Sequence, residues 1–213
     1  MVDALLLELE GVVVETEPLW RDALSAALRE HELSVPSDVI DAGRGMPLHA
    51  RVGRLVRDER LTIDTTGADL IAFGASRRFA DALRRGITLV PGARELLESA
   101  RQSARVAVVT RARRSDADVM LTLSGLDALV EFVIAAEDAP AKPAAAPYER
   151  ALSRLNRRGN VRRDAVLALE DGEPGAQAAR AAGLRCIVVE DDLPARDLAS
   201  LDELRDRRTE HVG

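Results

Sequence analysis

The chain has 213 residues, 46% of them hydrophobic and 31% charged, with a formal net charge of −6 and one cysteine. This size suits one generous domain or a core domain carrying an insert. The acidic balance argues against nucleic acid as the main partner, and a single cysteine excludes an internal disulfide framework and a cysteine-rich metal site.

The first strand-like run is Val2–Leu9, and it ends in Glu8-Leu9-Glu10-Gly11. No basic region and long apolar segment precede it, and no apolar run approaches the ~20 residues of a membrane span, so a cytoplasmic protein with no membrane partner is expected. Residues 18–86 hold no good strand run. They carry helical stretches at Pro18–Glu32, Pro47–Asp58 and Ala68–Arg85, with Thr16 placed to cap the first. Val90-Pro91-Gly92 is a turn signal. Beyond it, short apolar runs alternate with helical patterns. The runs are Arg105–Thr110, Phe132–Ala135, Ala165–Leu169 and Arg185–Val189. The helical patterns are Ala93–Arg101, Asp116–Ser124, Ala146–Arg157 and Pro174–Ala182. Brief runs without alternation fit strands buried on both faces. Strand–helix alternation predicts an α/β fold, a Rossmann-like parallel sheet with helices on both faces. The expected division is a core over 1–16 and 87–213, with a small all-helical insert after strand one over 17–86. A last helix and a frayed tail are expected over Asp191–Gly213.

Ligands of such sheets bind at the carboxyl ends of the strands. There the sequence places Glu8 and Glu10, then Thr110-Arg111, then Lys142-Pro143, then Glu170-Asp171. Carboxylates in this number suit a divalent cation such as Mg²⁺. A hydroxyl, an ammonium and a guanidinium suit a phosphate. Lys142 is also the sole lysine among 30 basic residues. In a chain that otherwise uses arginine, it marks a place where a compact ammonium serves and a planar fork does not. Several residues have plainer explanations. Cys186 in an apolar strand reads as a core residue, His49 as a surface residue, and Trp20 as packing of the insert on the core. Arg113 and Arg114 either collect an anion or form a solvated helix start.

The order of these motifs resembles the haloacid dehalogenase-like superfamily, closest to its phosphatase and phosphoglucomutase branch with a helical cap. In that family strand one ends in Asp-x-Asp-Gly followed by Asp-Thr-Glu or Asp-Ser-Glu. Here these are Glu8-Leu9-Glu10-Gly11 and Glu15-Thr16-Glu17. Thr110, Lys142-Pro143 with Tyr148, and Glu170-Asp171 through Gly175 match the later motifs. The resemblance implies a Mg²⁺-dependent phosphatase acting on a small phosphorylated metabolite, as a monomer or small homo-oligomer. Glu8 would be the nucleophile and Glu10 the acid and base. Thr110, Arg111 and Lys142 would bind phosphate. Glu8, Glu10 (through its carbonyl), Glu170 and Asp171 would bind metal. Leu48 stands where mutase members carry an arginine, which favours a monophosphatase. Both strand-one acids are Glu where the family has Asp. The alternative is therefore an impaired or inactive relative that keeps the metal and phosphate pocket.

Overall fold

The computed structural model describes residues 2–43, 46, 48–58, 61–157 and 159–189. The expected tail helix over Asp191–Gly213, and Gly45 and Pro47 of the insert, lie outside the described residues. The chain divides into two compact units, Met1–Glu15 with Thr88–Gly213, and Thr16–Ile87.

The first unit begins with β1 (Ala4–Leu7), every residue of which is buried. It continues to β2 (Val14–Glu15). The second unit contributes α1 (Glu17–Glu30), α2 (Ser37–Asp41), α3 (Leu48–Arg57) and α4 (Thr65–Arg85). The first unit resumes with β3 (Thr88–Leu89), α5 (Ala93–Ser103), β4 (Arg105–Val109), α6 (Arg114–Ser124), β5 (Val133–Ile134), α7 (Ala146–Asn156), β6 (Val166–Glu170), α8 (Glu173–Ala181) and β7 (Arg185–Val188).

Five strands form one parallel sheet in the order β5-β4-β1-β6-β7. The sheet grows outward from β1 in both directions, which puts the topological switch point beside the carboxyl end of β1. There the register aligns Leu7 with Val108 on one side and with Leu169 on the other. Glu8 extends the ladder, its N–H donating to Leu169 O at 2.9 Å. One apolar core packs Leu6, Val109, Ile134, Tyr148, Leu152 and Ala176 among others, joining sheet and helices. Cys186 is buried there. Burial, the largest influence, pushes its thiol up to about 12.

The helical unit has its own core, including Leu24, Leu28, Leu48, Leu55 and Ile71. Two local expectations are corrected. Thr16 precedes α1 but makes no side-chain cap bond, because its backbone is already in the helical region. Asp64 caps α4 instead, accepting from Gly67 N–H at 2.7 Å, so that helix starts at Thr65 rather than Ala68. Trp20 stacks on Phe79 within this unit, with ring centroids 3.6 Å apart. Leu48 packs in the same core, and His49 is exposed. Arg51 lies on α3 near Leu48, and its guanidinium is committed to Glu17 by two bonds of 2.5 and 2.8 Å. Two elements are additions to the sequence expectation: α2, and the β2–β3 antiparallel pair, which matches Val14 with Leu89.

Candidate active site

The strand ends converge. Glu8 leaves β1 fully buried. Its Oε1 accepts from Leu9 N–H at 2.7 Å, and its Oε2 accepts from Lys142 Nζ at 2.8 Å. Lys142 enters from the segment after β5, where its peptide bond to Pro143 is cis. Its ammonium also donates to Val109 O at 2.8 Å and to Glu170 Oε1. Glu170, the last residue of β6, receives a further bond on Oε1 from the Tyr148 hydroxyl, while its Oε2 is buried without a partner. Asp171 follows, and its Oδ2 lies 3.5 Å from Arg111 Nη2. Glu8, Glu170 and Asp171 each offer a carboxylate oxygen, and these three oxygens lie within 4.8 Å of one another.

Two glycines make this convergence possible. Gly11 has φ 77°, and a Cβ there would sit 2.9 Å from Asp171 Cβ. At Gly175, near the start of α8, a Cβ would overlap the Glu170 carboxylate. The carboxylate therefore packs against bare backbone.

The charges are strongly interdependent. Burial alone would raise the Glu8 carboxyl. The Lys142 ammonium, the Arg111 guanidinium and hydrogen bonds from Lys142 and Thr110 outweigh it and hold Glu8 below the usual carboxylate range. Burial likewise works against the Lys142 ammonium, but Glu8 and Glu170 raise its pKa, so it stays charged. Burial is the largest influence on Glu170 and, together with the Glu8 charge and against the pull of Lys142, puts it at about 7. Burial and Glu8 raise Asp171 to about 6, against Arg111. Burial, with Glu170 next to it, drives the Tyr148 hydroxyl well above its ordinary value, so it remains a donor.

A pH dependence follows. Glu170 and Asp171 titrate higher in the folded protein than their ordinary 4.5 and 3.8. Between those values and about 7 the folded state binds more protons than the unfolded chain. Without divalent cation, their contribution to stability is therefore greatest below about pH 4 and lost as pH rises to about 7. Glu8, held low, adds a change of opposite sign only below its ordinary 4.5. Urea unfolding in the presence of a chelator should show a lower unfolding free energy at pH 7.5 than at pH 5. A rise over that interval would contradict these environments.

The remaining site residues sort as follows. Thr110 is buried at the end of β4, and its Oγ1 also accepts from Ala112 N–H at 3.1 Å, so it both faces Glu8 and ties the turn. Glu10 is half-buried, and its side chain is not among the three grouped carboxylates. Glu15 is exposed on β2. Of the arginine run, Arg111 turns to the site while Arg113 is exposed. Arg114 pairs with Asp138 and donates to Val133 O at 3.1 Å, so it is a structural group. Sequence reasoning assigned no task to the Tyr148 hydroxyl or to Gly175. Their signals were the tyrosine six residues after Lys142 and the glycine five after Glu170.

The donor set fits a hard divalent cation. It offers three carboxylates, and with Glu10 the four acids against Lys142 and Arg111 leave two negative charges when all are ionised. No described helix is long and apolar enough to cross a membrane.

Comparison with known proteins finds relatives along most of the chain. A relative from Streptomyces hygroscopicus subsp. limoneus, validoxylamine A 7'-phosphate phosphatase, is 28% identical over 220 residues, spanning 100% of this chain and 99% of the relative. Protein CbbY of Cereibacter sphaeroides is 31% identical over 197 residues, 88% of this chain and 84% of that protein. The crystal structure of CbbY from Rhodobacter sphaeroides in complex with phosphate superposes with a TM-score of 0.78 at 24% identity, covering 96% of this chain and 100% of that one. The model of the haloacid dehalogenase-like hydrolases matches residues 2–183. With the parallel sheet and the strand-end motifs in place, the chain belongs to the haloacid dehalogenase-like hydrolase family.

Proposed function

We propose that this chain is a Mg²⁺-dependent phosphoric monoester hydrolase acting on a small phosphorylated polyol or sugar. One observation carries the proposal: Lys142 Nζ joins Glu8 at 2.8 Å to Glu170 within a group of three carboxylates at the strand ends. The substrate class is supported by the relatives, a phosphatase of validoxylamine A 7'-phosphate and a CbbY mutant crystallised with xylulose-(1,5)bisphosphate.

The residues act in sequence. The substrate phosphate draws the Lys142 ammonium, Arg111 and Thr110 toward its oxygens. Glu8, held ionised, is thereby released from Lys142 and attacks phosphorus. The bond from phosphorus to the leaving oxygen breaks as Glu10 gives that oxygen a proton. An acyl phosphate forms on Glu8, a mixed anhydride, and the alcohol departs. Glu10, now a carboxylate, takes a proton from water. The water oxygen attacks phosphorus, which frees inorganic phosphate and restores Glu8. One hard displacement is thus divided into two. Glu8, Glu170, Asp171 and the Glu10 carbonyl would hold Mg²⁺, which when bound supplies neutralisation of phosphate charge.

A second possibility is favoured by one specific feature. Glu8 is 0% exposed and both its oxygens are engaged within the protein. If that closure persists with substrate, the chain binds phosphate and metal without turnover.

Phosphate release from a panel of sugar phosphates with Mg²⁺ separates the two. Turnover by the native protein that falls at least about 1,000-fold in Glu8→Gln is expected if Glu8 is the nucleophile. No turnover on any ester, with inorganic phosphate still bound, establishes the second.

A further inference from the structure

Glu170 is held unevenly. Its Oε1 accepts from both Lys142 Nζ and the Tyr148 hydroxyl, while its Oε2 is buried with no partner among the described residues. A carboxylate oxygen has about two lone-pair sites, so those of Oε1 are filled and those of Oε2 are vacant. Oε2 lies where a Cβ at Gly175 would fall, and only a glycine there leaves it in place. Leaving such an oxygen unpaired is costly, which points to a ligand for it. The Tyr148 hydroxyl is the fixed member of this set. Tyr148 is 0% exposed on α7 and packs in the core under the sheet, so its hydroxyl cannot swing aside. The Lys142 ammonium has two other acceptors, Glu8 and Val109 O, and a phosphate to draw it. No step of the phosphoryl transfer uses the Tyr148 hydroxyl.

We propose that Tyr148 selects the cation, by holding Glu170 Oε1 so that the carboxylate offers a divalent ion one oxygen, Oε2, and cannot chelate it. The inference rests on Glu170 being a cation ligand and deepens the reading of a Mg²⁺ site. Mg²⁺ demands a near-octahedral shell at about 2.0–2.1 Å and is satisfied by single oxygens and water. Ca²⁺ accepts roughly six to eight oxygens at about 2.3–2.6 Å and gains from a carboxylate that binds through both of its oxygens. A hydroxyl fixed on Oε1 therefore denies Ca²⁺ an extra ligand and costs Mg²⁺ little. The discrimination works against the larger ion rather than for the smaller one. Tyr148 acts through Glu170, as a positioning residue.

Calorimetric titration of the full chain with Mg²⁺ and, separately, with Ca²⁺, without substrate, tests this. Tyr148→Phe keeps the ring and its place 5.4 Å from Lys142 Nζ, so the hydroxyl alone is lost. Its ratio of Mg²⁺ to Ca²⁺ affinity is expected to fall about tenfold from the native value, mainly through tighter Ca²⁺. In Glu170→Gln, whose amide has one oxygen to give, adding Tyr148→Phe should leave the ratio unchanged. If the Phe variant does not fold, infrared difference spectra of the native protein carry the test. The carboxylate signal that Glu170→Gln removes should show, with either ion, the wide separation of antisymmetric and symmetric stretches that marks binding through one oxygen. The narrow separation of a chelating carboxylate overturns the inference. So does an unchanged ratio in Tyr148→Phe, an equal shift for both ions, or a fall in the ratio that persists in the Glu170→Gln background. No cation binding to the native protein overturns it together with the cation assignment. Hydrolysis is a separate result: a shifted ratio in a protein without turnover sustains the selection while the phosphatase reading falls.

Discussion

Lys142→Met is expected to destabilise the protein by about 3–5 kcal/mol, the loss typical of a buried charge whose partner is removed. The Lys142 side chain is 1% exposed, and its two carboxylate partners are 1% and 0% exposed. Methionine fills similar volume, so the loss is electrostatic rather than a cavity effect. Glu8 and Glu170 would face each other without a cation between them, with Tyr148 the one remaining donor to Glu170 Oε1. Phosphate affinity should fall as well, because the ammonium is one of the cations proposed to meet the ester. Urea unfolding of the two proteins at pH 7.5 measures the first effect. Adding Mg²⁺ should recover part of the lost stability, since a divalent cation bound at the same carboxylates favours the folded state by mass action. A loss under 1 kcal/mol, or no recovery with Mg²⁺, would contradict the arrangement of charges around Lys142.

The second large effect concerns the strand-one acids. Glu8→Asp combined with Glu10→Asp is expected to raise turnover by about 100-fold. Each change withdraws a carboxylate by about 1 Å, a displacement that at a reacting centre is worth about that factor. The native Glu8 uses its length to reach the Leu9 N–H and Lys142 together. A shorter acid cannot satisfy both at the same positions, so it should be held less tightly and be available to the phosphate. The gain belongs in kcat with little change in KM, since Thr110, Arg111 and Lys142, the groups proposed to hold the phosphate, are untouched. A double variant less active than the native protein would mean that the site has adapted to glutamate.

The fold class was legible because buried parallel strands read as continuous apolar runs. Leu5, Leu6 and Leu7 are all 0% exposed, and the polar residues that follow each run mark the strand ends. Those ends brought Glu8, Thr110, Arg111, Lys142, Glu170 and Asp171 to one place, a consequence of topology that needs no side-chain detail. What stayed hidden depends on rotamers and long-range pairing. Nothing local tells which oxygen of Glu8 Lys142 takes, or that Arg111 rather than Lys142 meets Asp171. The β2–β3 pair has two residues in each strand and joins Val14 to Leu89 across the helical unit, so no local pattern signals it. Thr16 has the right residue type for a cap and the wrong backbone conformation, while Asp64, four residues before Ala68, is the cap in fact. The stacking partner of Trp20 was likewise not legible, because it lies about sixty residues away in the sequence. Phe79, on the neighbouring helix, takes it.

The claim on which the account rests is that Glu8 accepts the phosphoryl group. The direct measurement is rapid acid quench of the native protein with Mg²⁺ and a hydrolysed ester, followed by proteolysis and mass spectrometry. The account predicts one phosphoryl group on the peptide carrying Glu8, formed at least as fast as phosphate is released and absent in Glu8→Gln. Phosphate release with Glu8 unmodified at every quench time, or undiminished in Glu8→Gln, would contradict it.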